Sequence, residues 1–402
     1  MGPVAPDVSV IGGGIAGTAT ATFLAEAGLR VRLYERDAIA SGASGRNSGI
    51  VQHPFDAVLA DLYVRTLIEY HRLAREPVLG FALGDEPVGL LYVGRDGGSV
   101  ARIAEAWAAA WPDSRPEVLD GVALTRLEPA LAPDLVACRL AIGYPVAPAA
   151  ATEAFAGRAR ALGVEIVVGG GDARPAIFGK RVVGVERNGR IDPAGAVVVA
   201  GGPWTPGLID PTATWRPVRP SWGVVANLVV EGAPRHGLEA ADIDIEPAGG
   251  AGPAGEWPEA GPTPRHDPIR DEDIEFSLVP AAGASALGST FLAGEPEPES
   301  WLPALRRVGS RYVPAVADAP VVGMRCCARP VSHDGRPLVG PVPWIDGLWM
   351  IAGHGPWGIS TGPGSARRLS DAILGTGPQA MPAALAVDRF GVPGHRRDRI
   401  GR

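Results

Sequence analysis

The chain begins with a short apolar and small run that leads into a glycine cluster, V-S-V-I-G-G-G-I-A-G at 8–17. The helix-compatible stretch T-A-T-A-T-F-L follows, and V-R-L-Y-E-R at 31–36 closes the unit. Residues 7–36 therefore predict strand, glycine turn, helix and strand, one βαβ unit. Apolar positions at helical spacing over 57–75 predict a long amphipathic helix. The period then shortens, and 81–94 reads as strand, turn, strand, with a helix near 99–111. An alanine-rich helix spans 150–162, buried strands fall at 164–169 and 196–204, and 181–191 forms a hairpin on its Asn188-Gly189 turn. Alternating strands over 216–292, among them 224–230 and 274–280, flank a Pro/Gly-rich stretch, 246–268, that has no period and reads as a long surface loop. A helix near 300–317, strands across 321–340, a strand with a glycine turn at 347–358 and a helix over 359–374 complete the pattern.

The α/β signature returns three times around an inserted, mostly antiparallel unit. The expected fold class is α/β: a discontinuous Rossmann-like domain from 1–78, 144–214 and 322–402, and a substrate domain, a mostly antiparallel β-sheet flanked by helices, from 79–143 and 215–321. The length of 402 residues suits two domains, and 46% apolar content can fill their cores. A net charge of -7 removes the electrostatic footprint of a nucleic-acid or anionic-membrane binder. No apolar run approaches the ~18 residues of a membrane span. Three cysteines (Cys138, Cys326, Cys327), two of them adjacent, offer no disulfide framework. With no export signal ahead of the first strand, the expected location is cytoplasmic.

Gly12, Gly14 and Gly17 form G-x-G-x-x-G at a strand-to-helix turn. The first allows the tight turn, the second admits a pyrophosphate against backbone, and the third lets helix pack on strand. Ile15 and Ala16 open a helix whose free N–H groups and positive end attract phosphate. Glu35, 18 residues past Gly17, ends the next strand where a carboxylate can accept ribose hydroxyls, and Arg36 follows it. This motif serves NAD and FAD alike. Two further glycine-lined strand ends, A-G-G-P-W at 200–204 and G-H-G-P-W-G-I-S at 353–360, join the polar loop S-G-A-S-G-R-N-S-G-I-V-Q-H at 41–53. Together they can clasp an elongated cofactor with a ring system at its far end.

These segments, with P-V-A-P-A-A-A-T-E-A at 145–154 and R-P-V-S-H-D-G-R-P-L-V-G at 329–340, give the chain a resemblance along its length. It resembles the FAD-dependent amine and amino-acid oxidoreductases related to D-amino-acid oxidase, glycine oxidase and sarcosine oxidase. The resemblance implies FAD, with Ala43, Ser44, Arg46, Asn47, Ser48 and Gly49 lining the isoalloxazine and Ala173, Ala200, Gly201 and Trp204 along the cofactor path. Gly353, His354, Gly355, Gly358, Ile359 and Ser360 would present backbone N–H groups and a helix N-terminus to the pyrimidine end, His354 serving for shape and not for proton transfer. The family reaction moves hydride from the carbon bearing a neutral amine to flavin, and the imine hydrolyses. In the glycine-oxidase and D-amino-acid-oxidase branches the arginine of R-P-x-x-x-D-G grips the substrate carboxylate, which assigns that role to Arg329; an arginine paired to a core carboxylate is the plain alternative. Gln52 and Trp357 stand where the sarcosine-oxidase branch has charged anchors, so that pocket type is disfavoured, and Gln52, His53 and Trp357 are expected to shape the site. Cys327 matches the position of a cysteine that bonds FAD in that branch; a non-covalent cofactor is expected here, with the thioether as alternative. Asp334 is read as a turn residue, and Trp107, Trp111, Trp301 and Tyr312 as core.

The expected partners are a small amine or amino acid and oxygen or another electron acceptor. Two other functions fit the same sequence: a 2-hydroxy-acid oxidase with His53 as base, or a flavin subunit passing electrons to a partner. The oligomeric state is not legible.

Overall fold

In the computed structural model, which describes residues 5–241, 269–377 and 381–394, a six-stranded sheet carries the glycine motif. Its order is Leu338–Pro341, Leu348–Ala352, Ala196–Val199, Val8–Ile11, Val31–Glu35 and Glu165–Val168. All neighbours pair parallel except the outer Leu338–Pro341 and Leu348–Ala352. Strand alternation sends successive side chains to opposite faces. Val8, Val10 and Val198 join the core under the helices Ile15–Glu26 and Gly358–Leu374, whereas Ile11, Val197 and Val199 pack with Val182, Val185 and Trp215 on the other side. Both faces of the central strands Val8–Ile11 and Ala196–Val199 are covered, which is why they read as apolar runs, whereas the strand Glu165–Val168, expected to be buried, is a partly exposed edge strand. The covering layer on the second side is a three-stranded sheet whose hairpin turns on Asn188 and Gly189, both at positive φ (51° and 71°) as a tight primed turn needs.

The second sheet has eight strands in the order Val321–Ser332, Val218–Leu228, Ser285–Thr290, Ile274–Val279, Gly237–Ala240, Leu90–Gly94, Val136–Leu140 and Glu117–Leu119. It is antiparallel apart from the pairing of Gly237–Ala240 with Leu90–Gly94. One face buries Phe276, Leu278, Leu287 and Val224 against the helix Leu302–Gly309. The other face turns toward the first sheet and forms a cavity wall.

Three expectations shift. Val321–Ser332 pairs along its length with Val218–Leu228, from Val218↔Ser332 to Leu228↔Val321, so it belongs to the second sheet and the chain crosses back only after Ser332. Its apolar pattern could not name a partner about a hundred positions away. Within 81–94 only Leu90–Gly94 is a strand: Phe81 is buried, but the segment Gly84 to Pro87 interrupts any ladder. The helix near 300–317 is shorter, Leu302–Gly309, with a separate turn at Pro314–Val316. The expected loop 246–268 lies outside the described residues. No helix among the described residues is long and apolar enough to cross a membrane.

Candidate active site

Between the two sheets runs a cavity of about 820 Å³, the size of a cofactor and small-ligand site. At one end it is lined by Gly12, Gly14, Ile15, Ala16, Glu35 and Arg36. Gly12 has φ 117°, a region closed to other residues, and a Cβ there would run into the Ala200 carbonyl. A Cβ on Gly17 would strike the Gly12 carbonyl; this residue lies behind the wall and sets the approach of helix to turn. The helix Ile15–Glu26 has no side-chain cap of its own, but Ile15 N–H donates to Ser44 Oγ at 2.9 Å, which ties the turn to the 41–53 loop. Glu35 accepts from Gly13 N–H (2.7 Å) and Asp37 N–H (2.8 Å), one bond per oxygen, and each oxygen keeps a second lone pair for a ribose hydroxyl. Arg36 pairs with Asp37 and Asp172 and lies 5.5 Å from the Trp204 ring, so the mouth at this end is framed by Ala173, Ala200, Gly201 and Trp204.

The middle of the cavity is closed by the two loops. Segment 41–53 contains a short helix, Ala43–Arg46, which the sequence shows only as small and polar residues. Ala43, Ser44, Arg46, Asn47 and Ser48 reach the cavity, while Gly49 lies behind them. Asn47 holds the turn by donating to Ala43 and Ser44 carbonyls and accepting from Gly49 N–H, and Arg325 of the second sheet donates to Asn47 O at 3.1 Å. Opposite stand His354, Gly355, Trp357, Gly358, Ile359 and Ser360, with Gly353 behind. Gln52 N–H donates to Ser360 Oγ at 2.9 Å, joining the two loops directly. His354 is buried, pairs with Ser365 Oγ at 3.0 Å, and burial drops its pKa to about 4, so it is neutral near pH 7. The N-terminus of Gly358–Leu374 opens into the cavity, a favourable place for negative charge.

At the far end the second sheet supplies the wall. Cys327 and Arg329 alternate on one face of Val321–Ser332, and Gly223 and Val225 continue that face across the register pair Gly223↔Cys327. The Arg329 side chain lies over this face: Nη1 donates to Thr290 O at 2.6 Å, Nη2 to Ser289 Oγ, and the guanidinium stacks 4.3 Å from the Phe291 ring. A Cβ on Gly223 would stand inside that guanidinium, so this glycine makes the room. Arg329 forms no direct ion pair with a carboxylate among the described residues; burial lowers its pKa, and the charges of Cys327 and Glu275 nearby oppose this. Gln52 is 4% exposed and its Nε2 donates to Tyr92 Oη at 3.3 Å.

Three residues that sequence reasoning passed over complete the chamber: Tyr92, beneath Gln52, and Glu239 and Glu275, both lining the cavity. Glu239 pairs in register with Tyr92 on one side and Ser277 on the other, and it hydrogen-bonds both Gln52 and Tyr92. Burial raises its pKa to about 7, against the lowering by those bonds, with the Glu275 charge raising it further. In G-L-E-A and I-E-F-S-L-V the glutamates occupy the alternate positions of apolar strands, a pattern that suggests a solvated face. Here that face meets the cavity.

His53 is not among the cavity residues. Its ring lies in an aromatic nest with Tyr63, Trp107 and Trp111, its Nδ1 contacts Pro54 O at 2.7 Å, and burial lowers its pKa. Cys327 lines the cavity at 6% exposure; burial raises its pKa, and Arg329, Arg46 and Arg325 oppose this. Asp334 accepts from Arg336 N–H and from Arg389, holding the turn after Ser332.

A D-amino acid dehydrogenase of Cereibacter sphaeroides is 32% identical over 251 residues, 61% of this chain and 50% of that protein, so the match spans about half the length of this relative. Glycine oxidase of Bacillus cereus superposes with a TM-score of 0.75 at 24% identity, covering 93% of this chain and 96% of that one. Glycine oxidase of Geobacillus kaustophilus gives 0.77 at 20% identity over 97% and 99%. At such identities the two structures establish the fold. The glycine turn, the Glu35 strand end and the two loops form one continuous groove that fits a dinucleotide carrying a ring system, and the family model described as FAD dependent oxidoreductase (DAO) matches residues 7–372; the chain belongs to that family.

Proposed function

We propose that the chain oxidises the C–N bond of an amino acid or secondary amine, giving an imine that water hydrolyses. One observation carries this reading: a single cavity joins the glycine turn that begins at Gly12 with the half-buried, hydrogen-bonded guanidinium of Arg329. When bound, FAD supplies the hydride acceptor. The Gly12 to Gly17 turn and Glu35 would hold its nucleotide half, and the 41–49 and 353–360 segments its ring system. Arg329 keeps three of its five N–H donors after its bonds to Thr290 and Ser289, enough to hold a carboxylate by two of them. Fixing the carboxylate aims the reacting C–H, which is worth more than affinity alone. Trp357 and Gln52 cover the chamber, and neutral His354 leaves proton loss from the ammonium to other groups.

The 2-hydroxy-acid reading is less well supported. Its only candidate base from sequence, His53, is packed among rings outside the cavity. The cofactor is held non-covalently in this reading, because a buried Cys327 thiol stays protonated and thiolate is the reactive form. Relatives of the family bear both oxidase and dehydrogenase names, so the acceptor, oxygen or a partner, is read from reoxidation of the isolated protein in air. The test of the function is product analysis: ammonia and a 2-oxo acid in equal amounts from an amino acid support it, and turnover of 2-hydroxy acids alone overturns it.

A further inference from the structure

The helix Gly358–Leu374 carries a proline in its interior, Pro363. Without an N–H, Pro363 cannot donate to the carbonyl four residues back, Ile359 O. That carbonyl belongs to the first turn, where Gly358, Ile359 and Ser360 line the cavity. Ile359 is buried, and a buried carbonyl with no donor is costly. The neighbouring helix Ala57–Ala74 fills the gap: Tyr70 donates its hydroxyl to Ile359 O at 2.6 Å. One turn earlier on the same helix face, Thr66 Oγ1 accepts from Gly364 N–H at 3.0 Å and donates to Leu62 O at 2.9 Å. The two bonds straddle Pro363, one on each side.

The contact is close as well as specific. A Cβ on Gly364 would fall on the Leu62 carbonyl, so the two helices touch backbone to backbone beside the proline. Packing accounts for the Tyr70 ring, which lies against Phe81 and Phe155. It does not account for the hydroxyl, which phenylalanine would lack and which meets the one carbonyl that Pro363 orphans. The side chain is fully buried, and burial holds its pKa far above the ordinary tyrosine value, so it stays a neutral donor. The braced turn is the one that faces the cofactor site. Its Ser360 Oγ also accepts Gln52 N–H at 2.9 Å, which ties it to the 41–53 loop. The free N–H groups of a helix start favour negative charge only within about the first turn, so a turn that splays takes that stabilisation with it.

We propose that Tyr70 is a positioning residue for the cofactor: its hydroxyl replaces the helix bond lost at Pro363 and holds the N-terminus of Gly358–Leu374 where it stabilises the negative charge of reduced FAD. The proposal rests on the placement of the FAD ring at the 353–360 segment, and not on which substrate is oxidised. The two-electron midpoint potential of the FAD-loaded protein is measured by anaerobic reduction against a redox dye. In Tyr70→Phe, which removes only the hydroxyl, the preference for reduced over oxidised FAD should fall at least fivefold, a potential lower by about 20 mV. Pro363→Ala restores a backbone N–H for Ile359 O. In that background Tyr70→Phe should leave the potential unchanged, a coupling that general loosening of the core does not produce. Pro356→Glu sets a carboxylate at an exposed, cavity-lining position beside the same N-terminus and should lower the potential by itself. A potential unmoved by Tyr70→Phe in protein that retains its FAD, even with a lower melting temperature, overturns the proposal, as do equal falls in the Pro363 and Pro363→Ala backgrounds. If Pro356→Glu shifts the potential and Tyr70→Phe does not, the brace fails and the ring placement stands. If neither variant shifts it, the placement fails and the proposal with it.

Discussion

Replacing Arg329 with Met probes the substrate anchor while keeping a long, flexible side chain in the space opened by Gly223. In the wild type the guanidinium is half-buried, bonded to Thr290 O and Ser289 Oγ, and stacked on Phe291, so its remaining donors face the chamber already oriented, and bound substrate would complete its burial. Truncating one partner of a buried charged pair costs about 2–5 kcal/mol. Taking about 3 kcal/mol, at 1.36 kcal/mol per decade, kcat/KM for an amino acid falls roughly 150-fold. The variant also strips Thr290 O of a donor, which lowers stability by about 1–3 kcal/mol and acts on every substrate equally. The informative quantity is therefore a ratio: kcat/KM for an amino acid against that for the amine made by removing its carboxylate, in the same preparation with its FAD content measured. The ratio should fall at least 30-fold in Arg329→Met. A fall shared equally by both substrates, with the ratio intact, refutes the anchor and leaves Arg329 as a brace between strands.

Other consequences are open to simple assays. In Cys327→Ala the FAD content should match wild type, and acid precipitation of wild type should leave the flavin in the supernatant; yellow colour in the pellet that Cys327→Ala abolishes contradicts non-covalent binding. Gly17→Ala forces a methyl group against the Gly12 carbonyl, so thermal unfolding should show a loss of about 3 kcal/mol or more together with poor FAD retention. Glu239 has a folded-state pKa above its unfolded value, 4.5 against about 7, so its contribution is fully present below pH 4.5 and is lost as pH rises through 7. Wild-type stability without ligand should thus decline across that window, by at most roughly 3 kcal/mol, more steeply than in Glu239→Gln, and parallel pH profiles would contradict it.

The glycine turn and the six-stranded sheet were legible because local rules act there. Gly12 must take φ 117°, Glu35 must end its strand, and a sheet covered on both faces leaves continuous apolar runs. The second sheet was legible only as alternation. The crossing point after Ser332 depends on pairing with Val218–Leu228, and no local residue announces that partner. The substrate chamber was half visible. Arg329 and Gln52 lie on segments with a family pattern, whereas Glu239 and Glu275 sit at alternate strand positions that look solvated until the first sheet closes over them. His53 shows the converse: next to Gln52 in sequence, it turns into the nest of Trp107 and Trp111, because neighbouring residues of an extended segment face opposite ways.

The measurement that bears most directly on the account is anaerobic mixing of the FAD-loaded protein with D- and L-amino acids, N-methyl amino acids, polyamines and 2-hydroxy acids, followed by the visible absorbance of the flavin. The account predicts full bleaching by at least one amino acid or N-methyl amino acid, sharply slowed in Arg329→Met. Bleaching by 2-hydroxy acids alone, or a flavin left oxidised by every amine, would contradict it.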